Sequence, residues 1–132
     1  MLAADLTEHG TKGRRILIVD DHVDAATMLA EMFRARGHEV VVAHEAETAL
    51  ELFPRFRPQI ALLDIGLPEV DGYELARRMI ATVSSVECKL VAVTGYGQQR
   101  DKDRSAAAGF SAHLVKPVSM ATLLATIADP TS

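Results

Sequence analysis

Cysteine occurs once in the 132 residues, as Cys88, so no disulfide can close within the chain. A lone thiol suits a reducing compartment, and a cytoplasmic location is the expectation. Long apolar runs are missing as well. Ile16 to Val19 and Ile60 to Leu63 fall far short of the roughly 20 residues that a helix needs to cross a bilayer, so no membrane insertion is expected. The first residues mix charge with glycine and hold no apolar stretch, which argues against a signal peptide. Positive charge is not in surplus either. The formal net charge is −4, whereas a chain that grips nucleic acid through its phosphates carries a basic excess, so direct nucleic-acid binding is not expected. Hydrophobic residues make up 48% and charged residues 24%, the balance of a folded globular chain rather than a disordered one. The length suits one domain with one core.

What the chain does have is an alternation of two patterns. Apolar stretches of strand length lie at Arg15–Val19, Glu39–Ala43, Gln59–Leu63, Lys89–Val93 and Ala112–Val115. Helical stripes lie between and after them. Ala25, Met28, Leu29, Met32 and Phe33 form the first, ended by Gly37. Ala46, Ala49, Leu50 and Phe53 form the second, cut short by Pro54. Tyr73, Ala76, Met79, Ile80 and Val83 form the third. Gln98 to Ala108 is a fourth, poor in large apolar residues, and Met120, Leu123, Leu124 and Ile127 form a fifth, with Ser119 placed to cap it. Residues 1–13 read as a tail or linker, 14–128 as the domain and 129–132 as a short C-terminal tail.

Five strands alternating with five helices predict an α/β fold, a doubly wound parallel sheet with helices on both faces. The stretches ILIV and IALL are apolar throughout, as strands covered on both sides must be. In such sheets ligands bind beyond the carboxyl ends of the strands. Those ends carry Asp20-Asp21 after the first strand, Asp64 after the third, Thr94 after the fourth and Lys116-Pro117 after the fifth. Three carboxylates at close range repel one another, and a hard divalent cation such as Mg²⁺ relieves this while keeping positions open for phosphate oxygens. Lys116 can bind a phosphoryl oxygen as a point charge, and Thr94 can donate a hydroxyl hydrogen bond. One carboxylate is then free to act as a nucleophile on phosphorus, in a site that positions groups and neutralises charge.

Residues 14–128 resemble the receiver domains of response regulators in two-component systems. ILIVDD, LLDIGLPEVDGYEL, VAVTGYG and HLVKPV match the landmarks of that family in order, each in register with a strand end. The resemblance implies a flavodoxin-like sheet of order 2-1-3-4-5. It implies Asp64 as the phosphoacceptor, fed by a histidine kinase or a histidine phosphotransfer protein. It implies Mg²⁺ held directly by Asp21, Asp64 and the backbone carbonyl of Gly66, with Asp20 acting largely through water. Thr94 and Lys116 would bind the phosphoryl group, and Pro117 would follow a cis peptide bond. Phosphorylation would be read out on the surface of the fourth helix, fifth strand and fifth helix, with His113 standing where the family usually has Tyr or Phe. The style of DIGLPEVDGYEL, TGYGQ and HLVKPV is similar to receivers of hybrid sensor histidine kinases. No Lys or Arg follows Lys116, so the charged dimer contacts of DNA-binding response regulators are not expected, and the chain should be a monomer or weak dimer.

Other readings fit less well. Aspartyl-nucleophile phosphatases of the haloacid dehalogenase type need a second carboxylate two residues on, where this chain has Gly66. A flavodoxin-type flavin carrier would need a phosphate cradle where Asp20-Asp21 repel phosphate. Gly95-Tyr96-Gly97 mimics a dinucleotide fingerprint, but Arg100 replaces the third glycine and the motif follows the wrong strand. The alternative within the family is a degenerate receiver, acting as an interaction module without phosphorylation; no residue needed for phosphorylation is missing. The chain is thus expected to be a phosphoacceptor signalling domain rather than an enzyme. Taken singly, Asp20-Asp21 reads as a helix N-terminal charge pair, Thr94-Gly95 as a turn and Lys116 as a solvated lysine; their joint register is what speaks against those readings. His9, His38 and His44 read as solvated or capping, His22 is equally a surface or a site residue, and Cys88 reads as inert.

Overall fold

The computed structural model describes residues 13–68, 70–83, 87–95 and 108–128. The strands are β1 (Arg15–Val19), β2 (Glu39–Ala43), β3 (Ile60–Asp64), β4 (Lys89–Thr94) and β5 (Phe110–Val115). All pair in parallel, in the order β2-β1-β3-β4-β5. The described helices are α1 (Val23–Ala35), α2 (Ala46–Phe56), α3 (Gly72–Ala81) and α4 (Met120–Ala128). The helix expected over Gln98 to Ala108 lies outside the described residues apart from Ala108, as do the tails at 1–12 and 129–132.

The period of two along each strand sorts the core into two layers. Leu17, Val19, Ala61, Leu63 and Ala92 face α2 and α3, meeting Ala49, Phe53, Leu75 and Met79. Ile16, Ile18, Ile60, Leu62 and Val91 face the opposite way, onto Ala26, Ala30 and Phe33 of α1 and Leu123 and Ile127 of α4. Each such large side chain, removed from water, contributes roughly 1.5–3 kcal/mol before the entropy of ordering it.

Helix ends follow local chemistry. After α1, Gly37 takes φ 92°, and the amides of Gly37 and His38 donate back to the carbonyls of Arg34 and Phe33. Asp71 caps α3 by accepting from the Tyr73 amide at 3.0 Å. Gly72 lies so close to the residue that follows β3 that a Cβ would stand 2.7 Å from the Ile65 Cα, which is why the chain needs glycine there. Ser119 Oγ accepts from the Thr122 amide at 3.1 Å and starts α4.

Pro54 does not cut α2 short as expected. The helix runs on to Phe56, because a proline in the last turn forfeits only one amide bond. The end comes instead at Arg57, in left-handed conformation at φ 51°, whose amide still reaches the Phe53 carbonyl. Three strands also differ from the sequence boundaries. β3 and β4 each end one residue later, on Asp64 and Thr94 themselves, since Asp64 pairs with Val93 and Thr94 with Val115. β5 begins earlier, at Phe110, whose pairing with Leu90 precedes a register shift in β4.

A candidate phosphoacceptor site at the carboxyl edge of the sheet

Parallel pairing brings the strand ends to one edge. Val19 lies opposite Leu63, Asp64 opposite Val93 and Thr94 opposite Val115, so the residues that follow emerge side by side. The ladder continues past the strands: the Asp20 amide donates to Ala43, Ile65 to Val93 and Lys116 to Thr94. The strand ends are thereby anchored to their neighbours before any side chain is considered.

Asp64 is 5% exposed. Its Oδ1 accepts from the Gly66 amide at 2.9 Å, and its Oδ2 lies 3.4 Å from Lys116 Nζ. The same ammonium stands 3.6 Å from Asp20 Oδ2, so Lys116 bridges two of the three carboxylates. Burial pushes the Asp20 carboxyl up. Hydrogen bonds from the His22 amide and ring and the nearby charge of Lys116 outweigh it, holding the group below its ordinary range. Asp21 is treated differently by the fold. Its Oδ1 is buried and has no hydrogen-bond partner among the described residues, with His22 Nδ1 3.4 Å away.

Thr94 is buried, and its hydroxyl donates to the Leu114 carbonyl over a long 3.5 Å. The Lys116–Pro117 peptide bond is cis. Gly66 is exposed and touches Asp64 through its amide. His113 is half-buried on β5, its ring 6.2 Å from that of Phe110, which in turn meets the Tyr73 ring edge-on at 5.9 Å. Asp20, Asp21, Asp64 and Lys116 thus form one cluster, while Thr94 engages β5 and His113 packs with the aromatic group of Phe110 and Tyr73. Asp20, Asp64 and Lys116 also line a cavity of about 410 Å³. Met28, Leu29 and Met32 of α1 line it, together with Met120 and Leu123 of α4. This apolar wall lowers the local dielectric and strengthens every charge interaction on that side.

Two histidines take up places that sequence periodicity did not assign. His22 turns back from the start of α1 onto the acids, its Nδ1 2.9 Å from Asp20 Oδ1 and 3.9 Å from Asp64 Oδ2. The bond to Asp20 and the charges of Asp20 and Asp21 raise its pKa. His44 is half-buried, and its Nδ1 donates to the Asp20 carbonyl at 3.0 Å, bracing the loop that carries the acids. The only hint in the sequence was adjacency: His22 follows the acidic pair and His44 follows the neighbouring strand. His38 is likewise half-buried; its Nδ1 accepts from the Arg14 amide at 2.9 Å, at the opposite edge of the sheet. Burial pushes the Cys88 thiol up to about 12, which leaves little thiolate for chemistry at neutral pH.

The acidic cluster fits a divalent cation. One oxygen or nitrogen from each of Asp20, Asp21, His22 and Asp64 lies within 4.8 Å of the others, and the buried, unbonded Asp21 Oδ1 is an oxygen in need of a partner.

The family model of the response regulator receiver domain matches residues 16–128, and the chain belongs to that family. It is 32% identical to Protein PilH of Pseudomonas aeruginosa, over 86% of this chain and 93% of PilH. It is 32% identical to the Virulence sensor protein BvgS of Bordetella bronchiseptica, over 83% of this chain but only 9% of BvgS. Among solved structures, a response regulator receiver domain protein from Methanospirillum hungatei superposes with a TM-score of 0.72 at 33% identity, covering 88% of this chain and 91% of that one. The five-stranded 2-1-3-4-5 sheet agrees with that assignment. Among the described residues, no helix is long and apolar enough to cross a membrane.

Proposed function

We propose that Asp64 takes a phosphoryl group from a phosphohistidine on a histidine kinase or histidine phosphotransfer protein, in a Mg²⁺-dependent reaction. The observation that carries this reading is the setting of Asp64. It is a buried carboxylate at the end of the central strand, with Lys116 Nζ 3.4 Å from one oxygen and the Gly66 amide on the other. A carboxylate oxygen attacks phosphorus; the O–P bond forms as the N–P bond of the donor breaks, and the electron pair returns to the donor imidazole. Lys116 exchanges Asp64 Oδ2 for a phosphoryl oxygen. Thr94 exchanges the Leu114 carbonyl for another, a change made easy by the length of its present bond.

Asp21, Asp64 and the Gly66 carbonyl would hold Mg²⁺, with Asp20 acting through water. When bound, the ion offsets the clustered negative charge and accepts a phosphoryl oxygen. The movement of Thr94 and His113 would carry the signal to the surface of the fourth predicted helix, β5 and α4. On this reading the chain is a signalling domain in the cytoplasm, monomeric or weakly dimeric and without nucleic-acid contacts, rather than an enzyme with a separate substrate. Incubation with acetyl phosphate or phosphoramidate, followed by peptide mapping, tests it. Label should appear at Asp64 alone and vanish on chelation or in Asp64→Asn. Equal labelling of Asp64→Asn would falsify the assignment.

A further inference from the structure

The acids alone describe an all-oxygen site, but this chain adds a nitrogen. His22 Nδ1 lies 2.9 Å from Asp20 Oδ1, 3.4 Å from Asp21 Oδ1 and 3.9 Å from Asp64 Oδ2. Around an ion with bonds of about 2.0–2.2 Å, neighbouring ligand atoms stand roughly 3.0 Å apart in an octahedron and roughly 3.4 Å apart in a tetrahedron. The imidazole nitrogen therefore already stands at ligand spacing from Asp21 Oδ1, one of the oxygens proposed as a direct ligand, and 3.9 Å from the other carboxylate, Asp64 Oδ2. The ring can turn to close that gap, since the His22 side chain is 66% exposed, and in doing so gives up its bond to Asp20 Oδ1. Asp20 would not be released by that turn, because the His22 backbone amide holds the same Oδ1 at 2.9 Å.

We propose that His22 makes this a mixed nitrogen and oxygen site, in which Nδ1 is an additional ligand for a first-row transition ion such as Co²⁺ or Zn²⁺. The inference rests on the reading of the acidic pocket as a divalent-cation site, and deepens it by naming the class of ion. Mg²⁺ gains little from the imidazole, because it prefers hard oxygen and retains water. Co²⁺, Ni²⁺ and Zn²⁺ accept imidazole readily and rank above earlier ions at any nitrogen-containing site.

The test is titration of the whole chain with Co²⁺, followed by visible absorption, and with Mg²⁺, followed by calorimetry, in wild type, His22→Gln and Asp64→Asn. In wild type Co²⁺ should bind more tightly than Mg²⁺, and Mg²⁺ in excess should displace it. His22→Gln should weaken Co²⁺ by about tenfold or more, the least that losing even a supporting group usually costs a metal site, with Mg²⁺ affinity unchanged. Asp64→Asn should weaken both ions. Zn²⁺ should shift the Nδ1 nitrogen resonance of one imidazole, the one missing in His22→Gln. Mg²⁺ binding retained with Co²⁺ affinity unmoved by His22→Gln overturns the nitrogen ligand and leaves the pocket reading intact. Equal weakening of both ions in His22→Gln overturns it too, because His22 would then act on the acids rather than on the ion. Co²⁺ binding that survives Asp64→Asn places the ion elsewhere and refutes the proposal. Wild type that binds neither ion removes the pocket reading, and the inference falls with it.

Discussion

The three carboxylates are unequal, and neutralising them one at a time should separate them. A simple repulsion argument predicts that any neutral substitution stabilises the metal-free protein. The geometry predicts otherwise. Asp20 accepts the His22 amide and ring and faces Lys116, and its lowered pKa means that its charged form favours the fold. Asp20→Asn should therefore lower metal-free stability by about 1 kcal/mol, less than the loss of a whole charge-assisted bond because the amide oxygen still accepts, at a side chain only 16% exposed. Asp21 has a buried oxygen without a hydrogen bond and two carboxylates whose ligand oxygens lie within 4.8 Å. At an effective dielectric of 20, each such pair repels by about 3.5 kcal/mol at that distance. Lys116, His22 and water cancel most of this, since the Asp21 side chain is 34% exposed. A net gain of about 1 kcal/mol for Asp21→Asn remains, or roughly 4 °C in Tm for a chain of this size. Saturating Mg²⁺ should reverse the order. Wild type gains about 2.7 kcal/mol at a hundredfold excess over Kd, whereas Asp21→Asn, lacking the carboxylate proposed as a direct ligand, should gain far less. Thermal unfolding of wild type and both variants, in chelator and in Mg²⁺, reads all of this. A Tm in chelator that falls for Asp21→Asn, or rises more for Asp20→Asn, would refute the reasoning.

Other outcomes follow from single contacts. Thr94→Ala should still accept phosphate but lose the response: beryllofluoride should leave the amide resonances of residues 110–116 in place, and wild-type-sized shifts there would end that idea. Gly72→Ala should cost about 1–3 kcal/mol in urea unfolding, because the added methyl meets the Ile65 backbone at 2.7 Å; an unchanged midpoint would mean that α3 can move away freely. Burial, aided by the charges of Arg14 and Arg36, lowers the pKa of His38 from the ordinary 6.5. Its stabilising contribution is complete above that value and is lost as pH falls through the lowered folded value. His38→Gln should remove that part of the acid slope, and parallel wild-type and variant curves between pH 7 and about 5 would count against it.

The layered architecture was legible in the chain because a parallel sheet covered on both faces leaves a plain record: apolar stretches such as ILIV and IALL, separated by helical stripes. Asp20, Asp64, Thr94 and Lys116 could be gathered from the sequence for an equally simple reason. Every strand of such a sheet ends on the same edge, so strand-end residues meet whatever their separation along the chain. Periodicity says nothing, however, about where a loop side chain turns or how far apart neighbouring strand ends stand. Tertiary structure alone decided that Lys116 sits between Asp20 and Asp64, and that Asp21 keeps an unbonded oxygen. It also turned His22 onto the acids and His44 onto the Asp20 carbonyl. Pro54 belongs with these, since its cost depends on how much helix remains beyond it, which was settled by Phe53 in the core and by Arg57 in left-handed conformation. Local sequence determines which groups reach the edge of the sheet; strand register and loop packing determine which of them touch, because ångström distances between side chains are set by neighbours remote in the chain.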